Sequence, residues 1–326
     1  MTVADATLVA AVAHHLDAGS TVLRAWPLEG GVSARVTAIE LIRSSGAHET
    51  VVLRQPNPSR LEENPRAAWQ EYTLLSRLHR AGLPVPAAID LDDSGEVAGA
   101  PYLVMEYIDG AATFAPETLD RALTYLAEQL ATIHAADVAA LDLSFLPAHS
   151  AGVSRTVWAE PDQPNGSWEE GRIRSTLQHV WPLPERVPPA VLHGDFRPGN
   201  VLWRDGRIVG VLDWENATLG DPLADLATSR LEMLWACGED AMRSFTRRYR
   251  EITRRNLSSL PYWDLAIALR YGPLFTDWTA DPDTQDMMQE RHRWFIAHAF
   301  SVLNRQGRDS APSVSSVADR DPGRRA

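Results

Sequence analysis

Five residues within twenty-one positions have the types and order needed to move a phosphoryl group: His193, Asp195, Arg197, Asn200 and Asp213. The first four lie in Val191-Leu-His-Gly-Asp-Phe-Arg-Pro-Gly-Asn-Val-Leu202, a polar loop between apolar pairs. Asp213 follows the apolar run Ile208-Val-Gly-Val-Leu212. A hydroxyl attacking a γ-phosphoryl group needs positioning, charge neutralisation and a destination for its proton, and little covalent help. Asp195 is the candidate base. Asn200 offers a neutral oxygen and Asp213 a carboxylate, hard ligands that suit Mg²⁺. Arg197 can offset charge developing on the transferring oxygens. The plain alternative is a His-Gly-Asp turn with Asp213 as a strand-end cap. The conjunction of the loop pattern with a further acid beyond the next hairpin argues against it.

The loop must be held by the strands around it. Asp205-Gly206 is a hairpin signal between Val201 and Leu212. Upstream, residues 4–17 read as an amphipathic helix with Leu8, Val9, Val12 and Leu16 at helical spacing. Strands are expected over 21–28, 36–42, 50–55, 87–91 and 101–107, with one long helix over 62–82. Gly30 and Gly31 turn the chain between the first two strands. Such a turn leaves amide N–H groups free for phosphate oxygens, although an isolated Gly-Gly is commonly an ordinary hairpin. Arg54 stands in an otherwise apolar strand. It is either an edge arginine facing water or a cation below the glycine turn. A helix carboxylate could hold it: Glu71 suits a bidentate contact, Glu62 or Glu63 could serve instead, and Glu71 could simply face solvent.

From residue 108 the pattern becomes mainly helical, which predicts an N-terminal part over 1–107 and a second over 108–304. Helices are expected over 116–136, 167–181, 221–236, 238–255, 260–278 and 284–304, with 137–166 irregular. His134 reads as a packing or capping residue. Trp235, Trp263, Trp278 and Trp294 read as core. Residues 305–326 are Ser-, Asp-, Arg- and Pro-rich and predict a disordered tail.

The 326 residues carry a net charge of −12, with 44% hydrophobic residues and one cysteine, Cys237. An acidic surface disfavours nucleic acid and anionic membranes as partners. A single cysteine excludes an internal disulfide framework and a multi-cysteine metal site. The N-terminus lacks a signal-peptide pattern and no apolar run is long enough to span a membrane, so the expectation is a cytoplasmic protein.

The motifs His193-Gly-Asp-Phe-Arg-Pro-Gly-Asn200, Val211-Leu-Asp-Trp-Glu215 and Leu219-Gly-Asp-Pro-Leu-Ala-Asp-Leu226 resemble the aminoglycoside phosphotransferase/choline kinase family, over residues 25 to 300 or so. The variant around Asp213 is similar to a branch of kinase-like domains fused to acyl-CoA dehydrogenases. The resemblance implies an α+β, protein-kinase-like two-lobed fold: a small antiparallel sheet lobe with one long helix, and a larger helical lobe. It implies ATP and Mg²⁺, with Asp195 as base and Asn200 and Asp213 as metal ligands. Gly30, Gly31 and Ser33 become the nucleotide loop, with Arg54 and Glu71 beneath it. Met105, Glu106 and Ile108 become the adenine contacts. Asp225 becomes a buttress of the catalytic loop, and Asp221 takes a similar structural part. The spacing of Asp195 and Asn200 is that of H-R-D-x-x-x-x-N in protein kinases, with Arg197 at that loop's lysine position.

This chain departs from protein kinases in carrying Arg54 in place of lysine, and arginine is not a neutral swap. Its glycine turn is not G-x-G-x-x-G. No Ala-Pro-Glu element follows Asp213, which argues against a protein substrate. The expected activity is ATP-dependent phosphorylation of a small-molecule hydroxyl, with aminoglycosides, macrolides, choline, homoserine and hydroxyacyl-CoAs as family acceptors. The alternative is a nucleotide-binding regulatory module without turnover.

Overall fold

Alternation along one strand decides which way Arg54 must face. In strand β3 (His48–Pro56) successive side chains point to opposite faces of the sheet. Val51 and Leu53 pack with Val9 and Val12 of helix α1 (Val3–Leu16), together with Tyr102 and Val104. Arg54 therefore faces the other side, where helix α3 (Ala67–Arg80) lies with Leu74, Leu75 and Leu78 buried. This computed structural model describes residues 3–28, 33–112, 118–159, 168–184, 187–272 and 281–309.

β3 belongs to a five-stranded antiparallel sheet with β1 (Thr21–Pro27), β2 (Ala34–Ile42), β4 (Ala88–Asp92) and β5 (Tyr102–Glu106), in the order β1-β2-β3-β5-β4. The predicted helix over 62–82 is interrupted. A short helix α2 (Pro58–Glu63) ends at Asn64, which is extended, and α3 starts afresh at Ala67. Pro65 is the cause: it offers no N–H, and it drives the residue before it out of the helical region. Asn57 caps α2 by accepting from the Arg60 N–H at 3.0 Å, with Pro58 in the first turn.

The C-terminal part is helical, with α4 (Leu119–His134), α5 (His149–Trp158), α6 (Glu170–Gln178), α7 (Pro222–Cys237), α8 (Glu239–Thr253), α9 (Leu260–Tyr271) and α10 (Pro282–Asp309). α7 is buried almost all round, which makes it the axis on which α8, α9 and α10 pack. Its Arg230 forms two bonds of 3.0 Å with Asp264 of α9, both side chains buried. Trp235 and Trp263 are buried and Trp294 packs on the same core, as expected; Trp278 lies outside the described residues.

Three differences from the sequence expectation stand out. Helix α5 occupies part of the stretch expected to be irregular. Only Val153 and Val157 mark its apolar face, and Ala148 at its start offers no capping oxygen. α9 ends at Tyr271, short of the expected limit, and residues 273–278 lie outside the described residues. α10 runs on to Asp309, so 305–309 are helical and not part of a tail.

Two small ladders carry the polar loop. β6 (Ala190–Leu192) pairs antiparallel with β9 (Thr218–Gly220), and β7 (Val201–Arg204) pairs with β8 (Arg207–Val211). Among the described residues no helix is long and apolar enough to cross a membrane.

Candidate functional site

The loop from His193 to Asn200 is fixed by hydrogen bonds before any ligand is considered. β6 delivers the chain to His193, whose N–H donates to Asp225 Oδ2 at 2.8 Å. The next N–H, that of Gly194, donates to Asp225 Oδ1 at 2.8 Å. Asp225 is 1% exposed, and His134 Nε2 lies 3.1 Å from its Oδ2. Burial works against the charge on Asp225. The His134 contact and the loop N–H bonds outweigh it and hold the carboxyl below its ordinary range. His134 in turn bonds Tyr249 Oη at 2.7 Å, so the loop is braced through α7 and α4 to α8. His134 therefore braces rather than ligates. Asp221 caps α7, accepting from the Leu223 N–H at 2.9 Å, and takes a bond from Trp263 Nε1 at 3.3 Å.

Gly194 has φ +82°, and a Cβ there would sit 2.4 Å from the Asn216 carbonyl oxygen. Both facts demand glycine. Gly194→Ala is expected to destabilise the fold by about 1–3 kcal/mol and to displace the loop. Thermal denaturation combined with an ADP-release assay would check it.

Asp195 accepts from Asn200 Nδ2 at 2.9 Å and from Arg197 Nε at 3.3 Å. Asn200 Nδ2 also donates to the Asp195 carbonyl at 2.9 Å, which turns the amide nitrogen inward and leaves Oδ1 without a hydrogen bond among the described residues. The β7–β8 hairpin brings Asp213 back beside it, since the Leu212 N–H donates to the Asn200 carbonyl at 2.8 Å. His193 Nε2 lies 2.8 Å from the Leu212 carbonyl and ties the loop to the same point. Asp213 itself adopts the left-handed conformation, φ 65° and ψ 60°, which re-aims its side chain out of the strand direction.

Asp213 meets Arg54. Arg54 Nη2 donates to Asp213 Oδ1 at 3.2 Å and to Glu215 Oε2 at 2.6 Å, while Nε donates to Glu71 Oε2 at 2.9 Å. Of the carboxylates weighed from the sequence, Glu71 is the partner. Glu63 lies 3.5 Å from Arg60 instead. Arg54 and Glu71 are both buried. Burial alone would depress the guanidinium, but Glu71, Asp213 and Glu215 together raise it above its ordinary value. Glu71 is raised, by burial first and by Asp213 and Glu215 besides, with Arg54 opposing.

Ser33, at the end of the glycine turn, donates to the Glu215 carboxylate. Gly30 and Gly31 lie outside the described residues. Met105 is half-buried at the end of β5, and Glu106 is exposed, its carboxylate accepting from the Ala87 N–H at 3.1 Å. Ile108 packs on the hairpin: a Cβ at Gly210 would come within 2.9 Å of its Cδ1. Ser33, Arg54, Glu71 and Asp213 thus share one polar network through Glu215 and the Arg54 guanidinium, while Asn200 and Arg197 meet at Asp195. Met105 and Glu106 end β5, and Ile108, just beyond it, packs on the β7–β8 hairpin.

Three contributors went unassigned in the sequence. Glu215 was visible in the Asp-Trp-Glu motif, but nothing local says that it joins Arg54 and Ser33. Glu232 of α7 is raised to about 7, by burial and then by the charge of Asp195, against the pull of Arg197. Tyr271 is raised by burial first, with Arg270 and Arg197 opposing and Asp195 and Glu232 adding to the rise. Neither has a local signal, since each reaches the loop only through helix packing. A carboxyl raised by folding holds its proton more tightly in the native state. The stability Glu232 confers is therefore full below the ordinary carboxylate range and fades as pH rises toward 7. Glu232→Gln is expected to remove that decline, read as melting temperatures at about pH 5 and about pH 8.

Among the described residues no group of three or more His, Cys, Asp or Glu could hold a metal ion. The donor set present is Asn200 Oδ1 with the second oxygen of Asp213. That pair fits a hard cation that keeps water and phosphate oxygens in its remaining positions.

Residues 25–264 match the family described as "Phosphotransferase enzyme family". The chain is 27% identical over 246 residues to Acyl-CoA dehydrogenase family member 10 of Mus musculus, covering 71% of this chain and 23% of that protein. It is 28% identical over 190 residues to Hygromycin-B 4-O-kinase of Escherichia coli, covering 53% and 55%. The chain thus spans about a quarter of the first relative's length. The fold is similar to that of a crystal structure described as an aminoglycoside phosphotransferase from Ralstonia eutropha, with TM-score 0.67, 17% identity and coverage of 92% and 98%. It is also similar to that of APH(4)-Ia in a ternary complex with ADP and hygromycin B, with TM-score 0.60, 21% identity and coverage of 85% and 94%. With its sheet, its helical part and its matched motifs in place, the chain belongs to the phosphotransferase enzyme family.

Proposed function

We propose that the chain is a Mg-ATP-dependent kinase that transfers the γ-phosphate to a hydroxyl of a small molecule. The observation that carries this reading is the fixed placement of Asp195: Asn200 and Arg197 hold its carboxylate, and the hairpin sets Asp213 alongside. Asp195 orients the acceptor hydroxyl and takes its proton. Arg197, 38% exposed at its side chain, is free enough to swing from Asp195 to the transferring oxygens. Asn200 and Asp213 would hold Mg²⁺, which supplies charge neutralisation to the phosphates when bound. Arg54, fixed by Glu71, would serve the phosphate side with Ser33, and Gly30 and Gly31 are assigned to the same nucleotide loop from the sequence alone. Met105, Glu106 and Ile108 line the adenine end. In this reading residues 1–107 serve the nucleotide and 108–304 the acceptor.

Nucleotide use is supported by the solved relatives in complex with ADP, AMP-PNP or GDP. The test is a screen of hydroxyl compounds for Mg-ATP-dependent gain of phosphate by mass. It should span aminoglycosides, macrolides, choline, amino alcohols and hydroxyacyl thioesters. Phosphate gain by one class is the expected result. Nucleotide binding with no ATP turnover would favour a regulatory module instead.

A further inference from the structure

Positive charge gathers beside the catalytic loop, not in it. A cavity of about 620 Å³ opens between α2, α5, α9 and the segment that follows Asp213. Arg60 of α2, Arg155 of α5 and Arg270 of α9 all line it. Three arginines from three separate elements converge there, which sequence proximity does not explain. Arg155 and Arg270 make no ion pair with any described residue, and Arg270 lies over the Tyr271 ring, 5.5 Å from its centroid. The two acids on the wall do not balance them. Glu215 is taken up by Arg54 and Ser33, and Glu63 is 73% exposed and pairs with Arg60 at 3.5 Å.

The neutral lining adds to this. His149, on the wall, bonds Thr218 through Nδ1 at 3.2 Å, while its buried Nε2 has no hydrogen-bond partner. The buried Nε of Arg60 has none either. The cavity also reaches the reacting loop. Asn216 lines it, and the Asn216 carbonyl is the atom that a Cβ at Gly194 would strike.

We infer that this cavity is an anion-binding site for a phosphate group, with Arg155 and Arg270 as its principal ligands and Arg60 closing it from the N-terminal side. Guanidinium groups present paired N–H donors that match phosphate oxygens, and among the described residues neither Arg155 nor Arg270 has an ion pair to break on binding. The phosphate has two sources: a group carried by the acceptor, or a free anion. The first source rests on the kinase reading above; the site itself does not.

The probe is inorganic pyrophosphate, titrated into the full chain by calorimetry. Arg155→Gln and Arg270→Gln are each expected to weaken binding about tenfold, and the double variant about a hundredfold. Both positions are exposed, so the variants should fold; unchanged thermal melting confirms it. Equal affinity in the folded double variant overturns the inference. So does loss of binding in Arg197→Gln with none in the double variant, which places the anion at the catalytic loop. Kinetics then separate the sources. Competition of pyrophosphate against the acceptor, raising its KM with kcat unchanged, identifies an acceptor-borne phosphate. A change in kcat with KM unchanged identifies a free anion. Intact pyrophosphate binding with no transfer to any acceptor would sink the kinase reading and leave the site standing.

Discussion

Asp195→Ala is expected to lower phosphoryl transfer by about a thousandfold or more while nucleotide affinity and melting temperature change little. The fold should survive because the loop is not held by this side chain. Asp225 grips the His193 and Gly194 N–H groups, and Asn200 still bonds the residue-195 carbonyl. Rate is lost because no other carboxylate accepts from both Asn200 and Arg197 among the described residues. An ADP-release assay with calorimetric nucleotide titration gives both numbers. Turnover within tenfold of the parent chain would end the assignment of Asp195 as base.

Arg54→Met should act on stability as strongly as on activity. One guanidinium bonds Glu71, Asp213 and Glu215 at once. Its removal strands a buried carboxylate on α3 and two more on the segment opposite. Breaking a buried pair from one side costs about 3–5 kcal/mol. In a chain of this size that is a fall of about 10 °C in melting temperature. Glu71→Gln on the same background should recover part of it, because an amide needs no counter-charge. The loss should also be smaller in acid. Burial first, and the neighbouring carboxylates second, raise Glu71, so the native state favours its protonated form. Stability therefore declines as pH rises past the ordinary carboxylate range, and removing Arg54 steepens the decline. Equal losses at acid and neutral pH would show that Glu71 is not the stranded charge. Arg54→Lys should fall between, since one ammonium cannot reach three acids in the same geometry.

The polar loop was legible in the sequence because its chemistry is local. His193, Asp195, Arg197 and Asn200 fall within eight residues, and the Asp205–Gly206 turn returns Asp213 to them. The Arg54–Glu71 pair was half legible: the strand arginine and the helix acid stood out, but the choice among Glu62, Glu63 and Glu71 needed the break at Pro65. That break carried its own signal in Asn64-Pro65. Glu215 reaches Arg54 across 161 positions, and Glu232 and Tyr271 approach Asp195 through the packing of α7 and α9. No spacing rule encodes such meetings. Helix α5 was obscured for another reason: it buries only Val157 and so shows almost no apolar stripe.

The β7–β8 hairpin also works as a ruler. Asn200 precedes the first strand and Asp213 follows the second, and the pairing of Val201 with Val211 sets the distance between them. The far tip at Asp205 and Gly206 takes no part in that measurement. Two extra residues at the tip would lengthen the hairpin and leave the gauge unchanged. One extra residue inside either strand would turn its side chains to the opposite face and miscalibrate the pair. Tolerance of length at one end and intolerance at the other follow from the same ladder.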